Sequence, residues 1–143
     1  MSMEKNCVFC KIIRGEAPST RLFEDDLVLA FLDIAPVSPG HALIIPKEHH
    51  VSITTVPEEY RARMMETAPR LGAALLRAVD GEGFNLLLSN GACAGQVVPH
   101  SHLHVIPRKS SDNFSLFPPK TADYKNEEER EAIAEAVRKK MSS

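Results

Sequence analysis

Residues 100–108 read HSHLHVIPR, with His100, His102 and His104 alternating with Ser101, Leu103 and Val105. Alternate side chains of a strand share a face, so the apolar set turns to a core and the three imidazoles form a row on the other side. Neighbours in such a row stand roughly 6.5–7 Å apart at the backbone, close enough to act on one ligand and far enough to take different roles. A solvated strand face is the plain alternative, but threonine, lysine or serine would serve there equally. A zinc hydrolase built on His-x-His is the sharper rival, since such a pair ligates one metal that activates water. Spacing alone leaves both open. The other three of the six histidines are grouped too, as His41, His49 and His50 in GHALIIPKEHH.

Working outward, VVPHSHLHVI (97–106) is expected to be a strand, and FNLLLSNG (84–91) a strand that ends in a turn. LFEDDLVLAFLDI (22–34) opens with an acidic turn and runs into an apolar, partly alternating segment at 28–34, bounded by PVSPG. HALIIP repeats that pattern, so 28–34 and 41–45 are expected to pair antiparallel across the Pro/Gly loop. From Thr55 the period changes. Thr55 and Glu58 have capping-box spacing, Pro57 falls in the first turn, and Tyr60, Met64, Ala68, Leu71, Leu75 and Val79 recur at helical spacing. This predicts the main helix, with a bend near Pro69. NEEEREAIAEAVRKKM places acids first and bases last, with Ile133 and Val137 as a narrow apolar stripe, and predicts an accessory helix over about 125–141.

With 143 residues, 43% apolar, the chain is long enough for one domain with a core of its own. Its net charge of −2, with no basic run longer than RKK, argues against a nucleic-acid surface and favours a small-molecule partner. Three cysteines, two as Cys7-x-x-Cys10, do not read as a secreted disulfide framework and fit either a metal pair or reduced thiols. The start lacks an apolar stretch of signal-peptide length, and no segment approaches the ~18 apolar residues of a membrane span. The expected location is therefore cytoplasmic, with no membrane partner.

The blocks CVFCKIIRGEAPS (7–19), LAFLDIAPVSPGHALIIPKEH (29–49) and GQVVPHSHLHVIPR (95–108), in that order, resemble the histidine triad (HIT) family over about residues 7–108. The resemblance implies an α+β, HIT-like fold in a single domain over 1–143. That fold is an antiparallel sheet with one main helix and a C-terminal accessory helix, and two copies join their sheets in a homodimer. It also implies a nucleotide-binding hydrolase or transferase. The middle histidine, His102, would attack the α-phosphorus, become a nucleotidyl-histidine, and be freed by water. Neutral imidazole suits that task near pH 7, and two displacements replace one harder step.

Carried over residue by residue, the catalytic set is His41, His100, His102 and His104, with His41 and His104 holding phosphate oxygens and helping to protonate the leaving group. Gly95 and Gln96 match a turn on the phosphate side. Asp33 matches the carboxylate that takes the ribose hydroxyls, and Phe9, Ile12, Phe31 and Ile34 match the walls of the base pocket. Read without the resemblance, Phe31 and Ile34 are equally core residues and Asp33 the end of a strand. Ser89 stands where many relatives carry asparagine or glutamine, with Asn90 beside it, and Val97 replaces a hydroxyl residue, so leaving-group preference stays open. Relatives with the N-terminal cysteine pair complete a structural zinc site of four ligands, here Cys7, Cys10, His49 and His100, with His50 the alternative to His49. Such a closed site would anchor His100 and fix the strand that presents His102. Cys93, in GACAGQ, is left as a bystander thiol. The activity implied is hydrolysis of a purine nucleoside phosphoramidate or other adenylated compound to AMP. Dinucleoside polyphosphate hydrolysis, nucleotidyl transfer and a non-catalytic nucleotide-binding scaffold are the alternatives.

Overall fold

A computed structural model describes residues 4–143. The first three residues, part of the start read above as lacking a leader, lie outside the described residues. The chain divides into two compact units, one reaching Asp112 and one beginning at Asn113.

The first unit is built on a sheet of five strands, β1 (Arg21–Glu24), β2 (Val28–Leu32), β3 (Ala42–Pro46), β4 (Gly83–Leu87) and β5 (Leu103–Arg108). Their order is β1-β2-β3-β5-β4, and every neighbouring pair is antiparallel. The pairing expected across the Pro/Gly loop is present, with Val28 opposite Pro46 and Leu32 opposite Ala42. β2 and β3 read as unbroken apolar runs, VLAFL and ALIIP, because both faces of the sheet are covered. On one face Val28, Ala30, Ala42, Ile44, Leu103 and Val105 pack against Met64, Ala68, Leu71 and Leu75 of the long helix. On the other, Leu29, Phe31, Leu43 and Ile45 pack against Cys7, Phe9, Cys10 and Ile12.

Helix α1 (Val8–Arg14), which carries Phe9, Cys10 and Ile12, and strand β1 add to the expected elements. The Cys7 thiol caps α1 by accepting from the Cys10 amide, and Gly15, at φ 79°, closes it in the left-handed conformation that glycine adopts without strain. The main helix, α2 (Glu58–Val79), begins later than the capping-box spacing implies. Pro57 is its N-cap with no side-chain bond, and the Thr55 hydroxyl instead donates to the Ser52 carbonyl at the end of a 3₁₀ turn. Glu58 and Glu59 in the first turn still favour the positive end of the helix dipole. Pro69 lies inside α2, where it leaves the Met65 carbonyl without the usual helical donor.

The histidine row also differs from the expectation. β5 starts at Leu103, so His100 and His102 sit in the segment that leads into it. Pro99 has no N–H to give a ladder, the His100 amide closes a tight turn onto the Val98 carbonyl, and the Ser101 amide donates to the His50 carbonyl at 2.6 Å. Those bonds replace strand pairing.

The second unit holds α3 (Glu127–Met141). Asn126 caps it by accepting from the Glu129 amide at 2.9 Å, and acids open it while Arg138, Lys139 and Lys140 close it. It has no buried residue, and Ile133 and Val137 are about half exposed. Among the described residues no helix is long and apolar enough to cross a membrane.

Candidate functional site

Each imidazole of the triad has its own partner, and the partner fixes what the ring can do. His100 is fully buried, with Nε2 3.0 Å from the Pro46 carbonyl. A carbonyl only accepts, so that nitrogen carries the proton and Nδ1 keeps its lone pair. Nδ1 faces Cys7 Sγ at 3.4 Å, Cys10 Sγ at 3.6 Å and His49 Nδ1 at 3.2 Å, while Cys10 Sγ lies 3.4 Å from His49 Nδ1. A tetrahedral zinc with sulfur at about 2.3 Å and nitrogen at about 2.0 Å sets its donors roughly 3.3–3.8 Å apart, so the four residues present fit that metal. Burial pushes the His100 imidazole down to about 4, which keeps it neutral and ligand-ready at pH 7. Burial, with Cys7 beside it, raises the Cys10 thiol, and a bound cation acts in the opposite direction. His50 is turned away from this cluster, its ring between Glu48 Oε1 at 2.7 Å and Thr55 Oγ1 at 3.2 Å.

His102 is set by the same logic and faces elsewhere. Its Nδ1 is 2.7 Å from the His100 carbonyl, so Nδ1 is the protonated nitrogen and Nε2 bears the lone pair. The ring stands edge-on to Phe9 at 5.2 Å between centroids and to His104 at 4.9 Å. His104 in turn places Nδ1 2.9 Å from Nε2 of His41, and His41 Nδ1 accepts from the Val37 amide at 3.1 Å. Burial pushes His104 down to about 4, helped by the charges of His102 and His41 and opposed by Asp33. Burial also lowers His41, with Asp33 pulling the other way.

His102 and His104 border a cavity of about 500 Å³, the size of a small-molecule site. Phe9, Ile12, Phe31, Asp33, Ile34, Gly95 and Val97 line it as well. A mainly apolar chamber with one carboxylate and two imidazoles at its wall suits a flat heterocycle joined to a polar, phosphorylated end.

Against known proteins, the HIT domain matches residues 14–111. The chain belongs to the histidine triad family. It is 48% identical over 111 residues to an adenylylsulfatase of Arabidopsis thaliana, a match covering 78% of this chain and 56% of that protein. The chain thus spans little more than half of that relative's length. It is 41% identical over 113 residues to an adenosine 5′-monophosphoramidase of Candida albicans, covering 76% of this chain and 74% of the relative. Among solved structures, a HIT family protein from Bacillus subtilis superposes with a TM-score of 0.86 at 38% identity, covering 94% of this chain and 96% of that one. A zinc-bound histidine triad protein from Mycobacterium smegmatis does so at 0.74 and 37% identity, covering 96% of each.

Within this histidine triad chain, several residues singled out in the sequence stand apart from the cavity. His41 is buried behind His104 and does not border it. Gln96 is tied into its own loop, its Oε1 accepting from the Gly91 amide and its Nε2 donating to the Val51 and Val98 carbonyls. Asn90 accepts from the Ile53 amide at 2.8 Å and the Ser52 hydroxyl at 3.3 Å, so it braces the segment before α2. Ser89 lies beside Gly95, whose φ of 98° calls for glycine. Asp33 accepts from the Ala35 amide through Oδ1 and turns Oδ2 to within 3.6 Å of His41 Nε2. Val8, Ala17, Pro18, Ser19, Ala35, Leu43 and Val98 complete the wall and were not anticipated. The signal for Val8 was available, since a glycine after Ile12-Ile13-Arg14 marks the end of a helix that also carries Phe9 and Ile12.

Proposed function

We propose that this protein is a nucleotide hydrolase that cleaves at the α-phosphorus of a purine nucleoside phosphoramidate, or a related adenylated compound, and releases AMP. The observation that carries this reading is the His102 tautomer: Nδ1–H is spent on the His100 carbonyl at 2.7 Å, so Nε2 offers its lone pair on a residue at the cavity wall. That lone pair forms a bond to phosphorus as the bond to the leaving group breaks, giving a nucleotidyl-His102 intermediate. Water then attacks phosphorus, frees His102 and yields AMP. Phe9, Ile12 and Phe31 take the base, Asp33 the ribose hydroxyls, and Gly95 and His104 the phosphoryl oxygens. The family, and relatives named as an adenosine 5′-monophosphoramidase and an adenylylsulfatase, support the class.

Cys7, Cys10, His49 and His100 would hold a structural zinc. When bound, the metal supplies a closed cross-link, and the chain's own His100 carbonyl passes that rigidity on to His102. The protein works as a homodimer, the arrangement implied by its resemblance to the family, and sedimentation velocity would reveal a monomer if it does not.

The deciding assay sets adenosine phosphoramidate, diadenosine polyphosphates and sugar nucleotides side by side. His102→Ala is expected to abolish turnover while AMP affinity stays near that of the unmodified protein. Appreciable residual turnover by that variant would sink the covalent route.

A further inference from the structure

Val37, His41 and His104 form a chain of hydrogen bonds whose direction is set at its backbone end. The Val37 amide can only donate, and it donates to His41 Nδ1 at 3.1 Å. Neutral His41 therefore carries its proton on Nε2, which lies 2.9 Å from His104 Nδ1. His104 accepts there, so its own proton sits on Nε2, the ring nitrogen left for substrate. His41 is only 4% exposed and stands behind two residues of the cavity wall, His104 and Asp33. His102 is held the opposite way by the His100 carbonyl. Two neighbouring imidazoles on one cavity wall thus present different faces, a lone pair from His102 and an N–H from His104.

We propose that the Val37 amide and His41 are positioning groups that hold His104 as a neutral hydrogen-bond donor to a phosphoryl oxygen, not as the acid that protonates the leaving group. An imidazolium at His104 needs a second proton on Nδ1, where the N–H of His41 already points. Adding it means turning His41 and breaking its bond from Val37. The charged and titratable groups facing the pair are Asp33, with Oδ2 3.6 Å from His41 Nε2, and His102. Asp33 favours a positive charge while burial and His102 oppose it, and the balance keeps both rings below the ordinary histidine range. Asp33, His41 and His104 also have the composition of a cation site. With its proton on Nε2, however, His41 has no lone pair to offer there. In the reaction the His102 Nε2–phosphorus bond forms as the phosphorus–nitrogen bond breaks. The departing nitrogen keeps the electron pair and takes its proton from water, or carries it already as an ammonium.

The catalytic part of this inference rests on the hydrolase reading, whereas the tautomers do not. The test is two-bond proton–nitrogen NMR of the histidine rings in the full-length, zinc-loaded protein at pH 7, which separates protonated from lone-pair nitrogens. His41 and His104 are expected as Nε2–H and His102 as Nδ1–H. A His104 protonated at Nδ1, or present as imidazolium, overturns the proposal. Val37→Pro removes the donor and should mix the tautomers of His41 and His104, with kcat falling about a hundredfold, as for loss of one oxyanion donor, and KM changing less. His41→Gln, whose amide accepts from Val37 and donates to His104, should keep the His104 tautomer and most of kcat, whereas His41→Phe should not. Equal activity of the Gln and Phe variants overturns the positioning role, even if Val37→Pro fails to fold. Tautomers as stated, in a protein that hydrolyses no adenylated compound, would remove the hydrolase reading and leave the relay standing.

Discussion

A carboxylate at the end of a strand becomes a candidate ribose partner only through what surrounds it. Asp33 borders the cavity with a side chain 20% exposed, one oxygen on the Ala35 amide and the other toward His41. Bonds from ribose hydroxyls to such a charged acceptor are partly desolvated, so Asp33→Ala should cost about 1.5–3 kcal/mol of nucleotide binding, roughly a tenfold to hundredfold loss of affinity. A 2′-deoxynucleotide should lose part of that energy on the unmodified protein and much less on the variant, a cycle that calorimetry measures. Equal binding of AMP and its deoxy form to the unmodified protein would place the ribose elsewhere. At this scale the sequence marked out the histidines as a group but not their separate duties. Period-two spacing says that three rings share a side, whereas the Pro46 and His100 carbonyls decide which nitrogen of each ring is free. Gln96 shows the opposite case, since the resemblance placed it in a turn on the phosphate side and the structure adds that its side-chain amide bonds within its own loop.

Elements were legible where a long period or an unbroken apolar run gave a pattern to read. α2 repeats its apolar stripe over 22 residues, and β2 and β3 are apolar throughout, so each announces itself. α1 has seven residues, two turns at most, and its N-cap is a cysteine thiol in place of the usual serine, threonine or aspartate, so neither period nor N-cap signalled it and only Gly15 at its end did. β1 has four residues, at the sheet edge and mostly exposed, which leaves no alternation to read. The metal cluster is where this matters. Cys7 caps α1 and Cys10 lies within it, His49 follows β3, and His100 precedes β5, so a single ion would clip three separate elements. About one zinc per chain is expected by elemental analysis. Cys10→Ser, or a chelator, should lower the melting temperature more than it lowers kcat of the protein that remains folded, because the lost binding energy is folding energy. Carefully purified protein without zinc would return the cysteines to plain buried thiols.

For the molecule as a whole, buried neutral histidines make stability depend on pH. His104 titrates at about 4 when folded and near 6.5 when unfolded. Between those values the unfolded chain binds a proton that the folded chain does not, so stability is full above pH 6.5 and falls as pH drops toward 4. Urea midpoints measured at pH 7.5, 6 and 5 should decrease in that order, and His104→Asn should flatten part of the decrease. A midpoint that holds constant down to pH 5 would mean the ring is not desolvated as the structure has it. Sequence by itself determined the main helix, the central strand pair and the set of residues with chemistry to offer, because these follow from local periodicity and side-chain type, while the fold class came from the resemblance to the histidine triad family. Only the tertiary structure decided that both faces of the sheet are covered, that His49 and not His50 turns to the cysteines, and that His41 stands behind His104 and Asp33 instead of at the cavity wall. Those outcomes depend on hydrogen bonds and packing between segments far apart in the chain, such as Cys7 with His100, 93 residues apart, and His41 with His104, 63 apart. No local pattern in the chain encodes which partner a given nitrogen will meet.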